Sequence, residues 1–262
     1  MTGLLLRAIL RRCRLILVRD DSSRRHLRAI GVARSRIVMC ADAAFALAPP
    51  GILNEVTVPA NVPLRVAVSL RDWPHFGRHD KADGMEAYLD AVAALVADLV
   101  DRQRARITFV STCQGVAEYW TDDSRVADRV VERLAAPLRD AVEIDRRHYS
   151  PERLIARLRE FDVVVATRMH VAILALCAGR PVVGIAYEFK TKELMQRVGF
   201  CDLVIDIEDA TGERLIALFD RLLELRPGIG LSIGRRVAAE RDAALAAGTI
   251  VRDALFGIEA AA

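Results

Sequence analysis

Three side chains able to grip an anion follow closely on two apolar runs: Arg168 and His170 just past 161–166, and Lys190 just past 181–186. A guanidinium, an imidazole and an ammonium together suit a phosphate or a carboxylate, and the imidazole titrates near neutrality. A helix start adds free backbone N–H groups and a partial positive charge, so a strand running through Thr167, Arg168, Met169 and His170 into an apolar helix makes an anion site. In an open α/β sheet, ligands bind at the carboxyl ends of strands. The plainer alternatives are that His170 is structural and that Arg168 pairs with a neighbouring carboxylate.

Placing these groups takes a strand followed by a helix, and that pattern repeats along the chain. Strands are read at 15–18, 36–40, 64–70, 106–111, 141–145, 161–166, 181–186 and 203–206. The clearest helical patterns fall at 81–103, 123–136, 151–159, 168–178 and 190–198, with a last long one at 233–255. The alternation predicts an α/β protein with a doubly wound parallel sheet. Pro49, Pro50, Gly51, Pro59 and Pro63 break both kinds of structure, so 49–63 is read as a linker. Residues 1–48 have room for only two strands and two helices, too few for a core of their own. They are expected to be the remnant of a first domain whose earlier strands are missing. The second domain spans 64–232, and the helix in 233–262 is expected to pack back on the first.

Composition narrows the function. The 262 residues are 53% hydrophobic but only 5% aromatic, which suits the aliphatic core of a helix-covered parallel sheet. Basic and acidic residues, 38 and 35, are interspersed without a basic stripe, which argues against a nucleic-acid partner. The cysteines at 13, 40, 113, 177 and 201 show no CxxC spacing and read as reduced residues of a cytoplasmic protein. Arg7, Arg11, Arg12 and Arg14 interrupt the apolar opening, so neither a membrane span nor a signal peptide is expected there. A peripheral position at the inner face of the membrane stays open. His26, His75, His79 and His148 lack metal-ligand spacing and are expected at surface or loop positions, although His75 follows Arg71 closely. No P-loop or Gly-x-Gly-x-x-Gly occurs, so no cofactor is expected. Asp122 and Asp123 are read as caps of the helix after them, and Asp20 or Ser23 as a cap before 24–30.

The stretch ATRMH, then GRPVVGIAYEFK, resembles the paired motif of the polysaccharide pyruvyl transferases, in which an Arg-x-His precedes a Tyr-x-x-Lys. VRDDSSRRHLRAIGV is similar to that family's Arg-Asp-x-x-Ser element ending in Gly-Val, and AVSLRDW to the strand that presents an arginine, here Arg71. FVSTCQGVAEYWTDDSRVA resembles a loop and helix that vary more among relatives. The resemblance covers 14–206. Glu188 and Phe189 depart from the Tyr-Asp-Pro-Lys seen in bacterial cell-wall members, so the acceptor can differ.

The resemblance implies a GT-B-like fold of paired Rossmann-type domains with parallel sheets, the first truncated here, and an active site in the cleft. It implies transfer of pyruvate from phosphoenolpyruvate to a sugar of a cell-surface polysaccharide or its precursor, forming a ketal. Phosphoenolpyruvate would be a substrate, with no separate cofactor. His170, Lys190 and Arg19 would be catalytic, while Arg71, Arg168, the Met169 backbone N–H and Tyr187 would bind substrate. Whether His170 protonates carbon or the leaving phosphate is open, as are a structural role for Tyr187, a lipid-linked acceptor, and an oligomer or missing N-terminal segment. The competing readings are a GT-B glycosyltransferase using a nucleotide sugar and a non-catalytic remnant that binds a partner.

Overall fold

Apolar runs without polar alternation must be covered on both faces. In the computed structural model, which describes residues 2–51, 63–78, 80–113 and 122–256, such runs form the middle of a six-stranded sheet. The chain opens with α1 (Thr2–Leu10), β1 (Ile16–Val18), α2 (Asp21–Ala29), β2 (Ile37–Met39) and a 3-10 turn at Ala43–Leu47. Then follow β3 (Arg65–Ser69), α3 (Lys81–Gln103), β4 (Arg106–Val110), α4 (Asp123–Arg133), α5 (Ala136–Arg139), β5 (Val142–Asp145) and α6 (Pro151–Leu158). The remainder is β6 (Val163–Ala166), α7 (Met169–Cys177), β7 (Val182–Ala186), α8 (Phe189–Arg197), β8 (Val204–Asp206), α9 (Gly212–Glu224) and α10 (Arg226–Phe256).

All pairings are parallel: β1 with β2 in one sheet, and β5-β4-β3-β6-β7-β8 in the other. Every residue of β6 and β7 is buried, while the outer β5 and β8 are only partly so. All eight strands read from the sequence are present. Helix α7 is buried from Val171 to Cys177 because it lies between the large sheet and the 3-10 turn, against which α10 also packs. It ends in a Schellman turn, where Arg180 N–H donates to Ala175 O at 2.8 Å and Gly179 takes φ +75°, a conformation that favours glycine.

Three helices differ from the sequence reading by more than a residue or two. The pattern at 123–136 splits into α4 and α5 because Leu134 is extended and Pro137 opens a new turn. Helix α9, capped by Thr211, was not among the patterns read. Helix α10 starts at Arg226, ahead of 233, and bends where Pro227 and Gly228 leave helical φ and ψ. Residues 52–62 of the expected linker, His79 and 114–121 lie outside the described residues. Among the described residues, no helix is long and apolar enough to cross a membrane.

The small sheet is tied to the large unit by polar clamps. Arg197 of α8 donates from Nη1 to the carbonyls of Arg19 at 3.0 Å and Cys40 at 2.9 Å, and from Nε to Glu240 of α10 at 2.7 Å. Ser22 Oγ donates to Glu193 at 2.6 Å, and Arg241 Nε to Ala48 O at 2.9 Å. Phe45 in the 3-10 turn joins the common core.

Candidate active site

The strand order reverses between β3 and β6, and such a reversal opens a crevice at the carboxyl edge. Ser69 pairs with Ala166 in the register, so Arg71 and Arg168, each two residues further on, leave the sheet side by side. Tyr88 of α3, wholly buried, shares a 2.7 Å hydrogen bond with Thr167, and burial pushes its phenol far above its ordinary range. The Thr167 N–H donates to Ser69 O at 2.9 Å, which locks the two strand ends together.

Arg19, Arg71, Arg168, Met169, His170, Tyr187 and Lys190 all line one cavity of about 410 Å³, together with Thr112, Cys113, Glu188 and Thr191. Its floor is formed by two helix starts. Asp20, Asp122, Ser150 and Thr211 cap α2, α4, α6 and α9 with their side chains, whereas α7 and α8, like α3 and α5, have no side-chain cap among the described residues. Their first N–H groups are therefore left for water or a ligand.

The four cations are held differently. Arg168 forms a bidentate pair with Asp123, Nε to Oδ2 at 2.9 Å and Nη2 to Oδ1 at 2.6 Å, which leaves Nη1 without a partner among the described residues. Burial works against the Arg168 charge, but Asp123 outweighs it and raises the pKa above the ordinary value. Asp123 is thus an ion-pair partner, while Asp122 alone accepts from the Ser124 N–H as the cap. Arg71 donates to the Tyr187 hydroxyl and lies 4.1 Å over its ring and 5.2 Å from that of Trp73, which is tilted against the tyrosine at 4.6 Å. Lys190 is 3.4 Å from Glu188. Arg19 pairs with Asp42, whose carboxylate also accepts from Ala44 N–H and lies 4.0 Å from His170 Nε2. The His170 side chain is 57% exposed.

Asp42, Asp123, Glu188 and Tyr88 were not assigned to the site from sequence. Asp42 carried only the signal of an acid ahead of a turn, and Asp123 sits 45 positions from its partner. The other described histidines, His26, His75 and His148, are exposed, and His75 stacks edge-on against Trp73 at 5.3 Å.

Helix-covered parallel sheets define an α/β protein, and the likeness to solved structures makes its fold GT-B-like. Solved structures agree on the fold. The chain matches α,α-trehalose 6-phosphate synthase from Burkholderia multivorans with a TM-score of 0.59 at 15% identity, over 98% of this chain and 62% of that one. It matches the Anabaena Alr3699/HepE protein in complex with UDP-glucose with a TM-score of 0.59 at 13% identity, over 98% and 67%. The sequence profile described as polysaccharide pyruvyl transferase matches residues 2–188, and the chain belongs to that family. The amylovoran biosynthesis protein AmsJ of Erwinia amylovora is 24% identical over 234 residues, which are 86% of this chain and 55% of that protein. The chain therefore spans little more than half the length of that relative.

Proposed function

We propose that the chain binds phosphoenolpyruvate in the basic cavity and takes part in moving its pyruvyl group onto a sugar of a cell-surface polysaccharide. The observation that carries this reading is the convergence of Arg19, Arg71, Arg168 and Lys190 with His170 on one cavity floored by two uncapped helix starts. A small ligand with a phosphate and a carboxylate needs such an arrangement.

In the proposed reaction the methylene of the donor gains a proton and becomes a methyl group. One sugar hydroxyl and then a second attack the adjacent carbon, and the C–O bond to phosphate breaks. The two hydroxyl protons end on the methyl carbon and on the departing phosphate, so charge balances without a cofactor. His170 moves protons, since an imidazole can both accept and donate one. Lys190 and Arg19 hold the phosphate, the Met169 N–H contributes from the start of α7, and Arg71 with Tyr187 receives the carboxylate. Arg168, anchored on Asp123, adds its Nη1 donors. The family and the amylovoran relative support a role in polysaccharide biosynthesis.

Glu188 in the cavity wall gives one foothold to a nucleotide-sugar glycosyltransferase, which would read a ribose through an acid. Calorimetric titration separates the two readings: saturable binding of phosphoenolpyruvate is expected, and binding of UDP-sugars alone would overturn the proposal. His170→Gln is expected to lower phosphate release by about 10²-fold or more, with undiminished turnover removing His170 from the mechanism.

A further inference from the structure

Asp42 stands between two of the groups assigned to the donor. Its Oδ1 accepts from the Ala44 N–H at 3.0 Å, which pins the carboxylate to the 3-10 turn, while its Oδ2 pairs with Arg19 and lies 4.0 Å from His170 Nε2. One oxygen is thus fixed and the other is shared by a guanidinium and an imidazole. The backbones around the pair are held as well. Arg197 Nη1 donates to Arg19 O and Cys40 O, and the 3-10 turn packs against α7, which opens with Met169 and His170. The Asp42 side chain is only 11% exposed, whereas those of Arg19 and His170 reach into solvent, so the carboxylate stays in place and the two basic side chains have room to move. Among the described residues, Asp42 is the carboxylate that comes within 4.0 Å of the His170 ring.

The gap between Asp42 and His170 is about 1 Å too long for a hydrogen bond, and Arg19 occupies the oxygen that such a bond would use. An anion in the first cavity competes for Arg19, which lines that cavity. We infer that Asp42 is a positioning residue for His170: the donor's phosphate draws Arg19 away, and the freed carboxylate then accepts a hydrogen bond from the His170 Nε2–H. The inference rests on the reading of the first cavity as the phosphoenolpyruvate site. Hydrogen bonds in ligand-free sites are often long and tighten in the complex. A neutral imidazole carries one N–H and one free lone pair, and a partner on one nitrogen fixes which is which. With Nε2–H held by Asp42, Nδ1 is the nitrogen left for proton movement. Donor binding and alignment of the ring become one event, so the imidazole is set for chemistry only when the donor is present.

The test is proton–nitrogen NMR of the imidazole rings in the whole chain, labelled in histidine, alongside calorimetry with phosphoenolpyruvate. The His170 signals are those lost in His170→Gln. In the wild-type chain, saturating phosphoenolpyruvate is expected to bring out an Nε2–H signal protected from exchange with water. Asp42→Asn keeps an oxygen for the Ala44 N–H and should lose that signal. It should bind phosphoenolpyruvate as tightly as wild type, or up to about threefold more tightly, because the rival for Arg19 has lost its charge. Arg19→Ala frees Asp42 without any ligand and should show the protected signal in the ligand-free chain, a readout that stands even where Asp42→Asn disturbs folding. The inference is overturned when bound phosphoenolpyruvate leaves the wild-type ring unprotected, when Asp42→Asn keeps the protected signal, or when the Arg19→Ala ring matches that of the ligand-free wild type. Weaker phosphoenolpyruvate binding in Asp42→Asn would make Asp42 a prop for Arg19 and overturn it as well. Absence of phosphoenolpyruvate binding to the wild-type chain would remove the donor reading alone, with Arg19→Ala still deciding for or against the Asp42–His170 contact.

Discussion

Arg168, past the end of β6, and Arg19, past the end of β1, reach the same cavity under opposite constraints. The Arg168 side chain is 15% exposed and clamped by an Asp123 side chain that is 1% exposed, whereas Arg19 is 37% exposed and shares Asp42 with the surroundings of His170. The large sheet holds its arginine with its own buried core. The small sheet borrows rigidity, since its strand ends are fixed by Arg197 and its 3-10 turn lies under α10. A buried fork must stay paired, because an orphaned charge there would be costly. A pair whose arginine stands part-exposed, as Arg19 does, can exchange its carboxylate for a ligand at less cost. The same residue type thus serves as a fixed post in one region and as an exchangeable contact in the other.

The largest effect that would test this contrast is Asp123→Ala, which strands the Arg168 charge and is expected to lower stability by about 3–5 kcal/mol in urea denaturation. Pairing it with Arg168→Met should recover most of the loss, and a single-variant loss below about 1 kcal/mol would erase the distinction. Arg197→Ala is next: the carbonyls of Arg19 and Cys40 lose their donor, for an expected cost of about 1–3 kcal/mol. Amide exchange should then quicken in β1 and β2 but not in β6 and β7, and uniform quickening would mean that the small sheet is not separately clamped. The smallest stability change belongs to Arg19→Ala, expected within about 1 kcal/mol of wild type. Its affinity for phosphoenolpyruvate should nevertheless fall about tenfold or more, the reverse of the Asp123 pattern.

Much of the fold was legible because its signals are local. The apolar runs at 161–166 and 181–186 marked buried strands, and helix α3 begins and ends where its pattern does, at Lys81–Gln103. Helix α9 was passed over although Thr211 caps it, accepting from the Arg214 N–H at 3.3 Å, and the bend at Pro227 and Gly228 hid the start of α10. Capping was legible but over-assigned: Asp122 and Asp123 both read as caps, although an acid can equally pair across the fold. Asp122 and Asp123 took one role each, and only the position of β6 decided which.

By itself the sequence determined which residues stand at strand ends and helix starts, because hydrophobic period and turn chemistry are properties of neighbouring residues. It therefore placed Arg168, His170 and Lys190 at two such turns. Only the tertiary structure decided that these turns share a cavity with Arg19 and Arg71, and that Asp123 occupies Arg168. Those outcomes follow from strand order, register and burial, which are set by contacts between residues far apart in the chain.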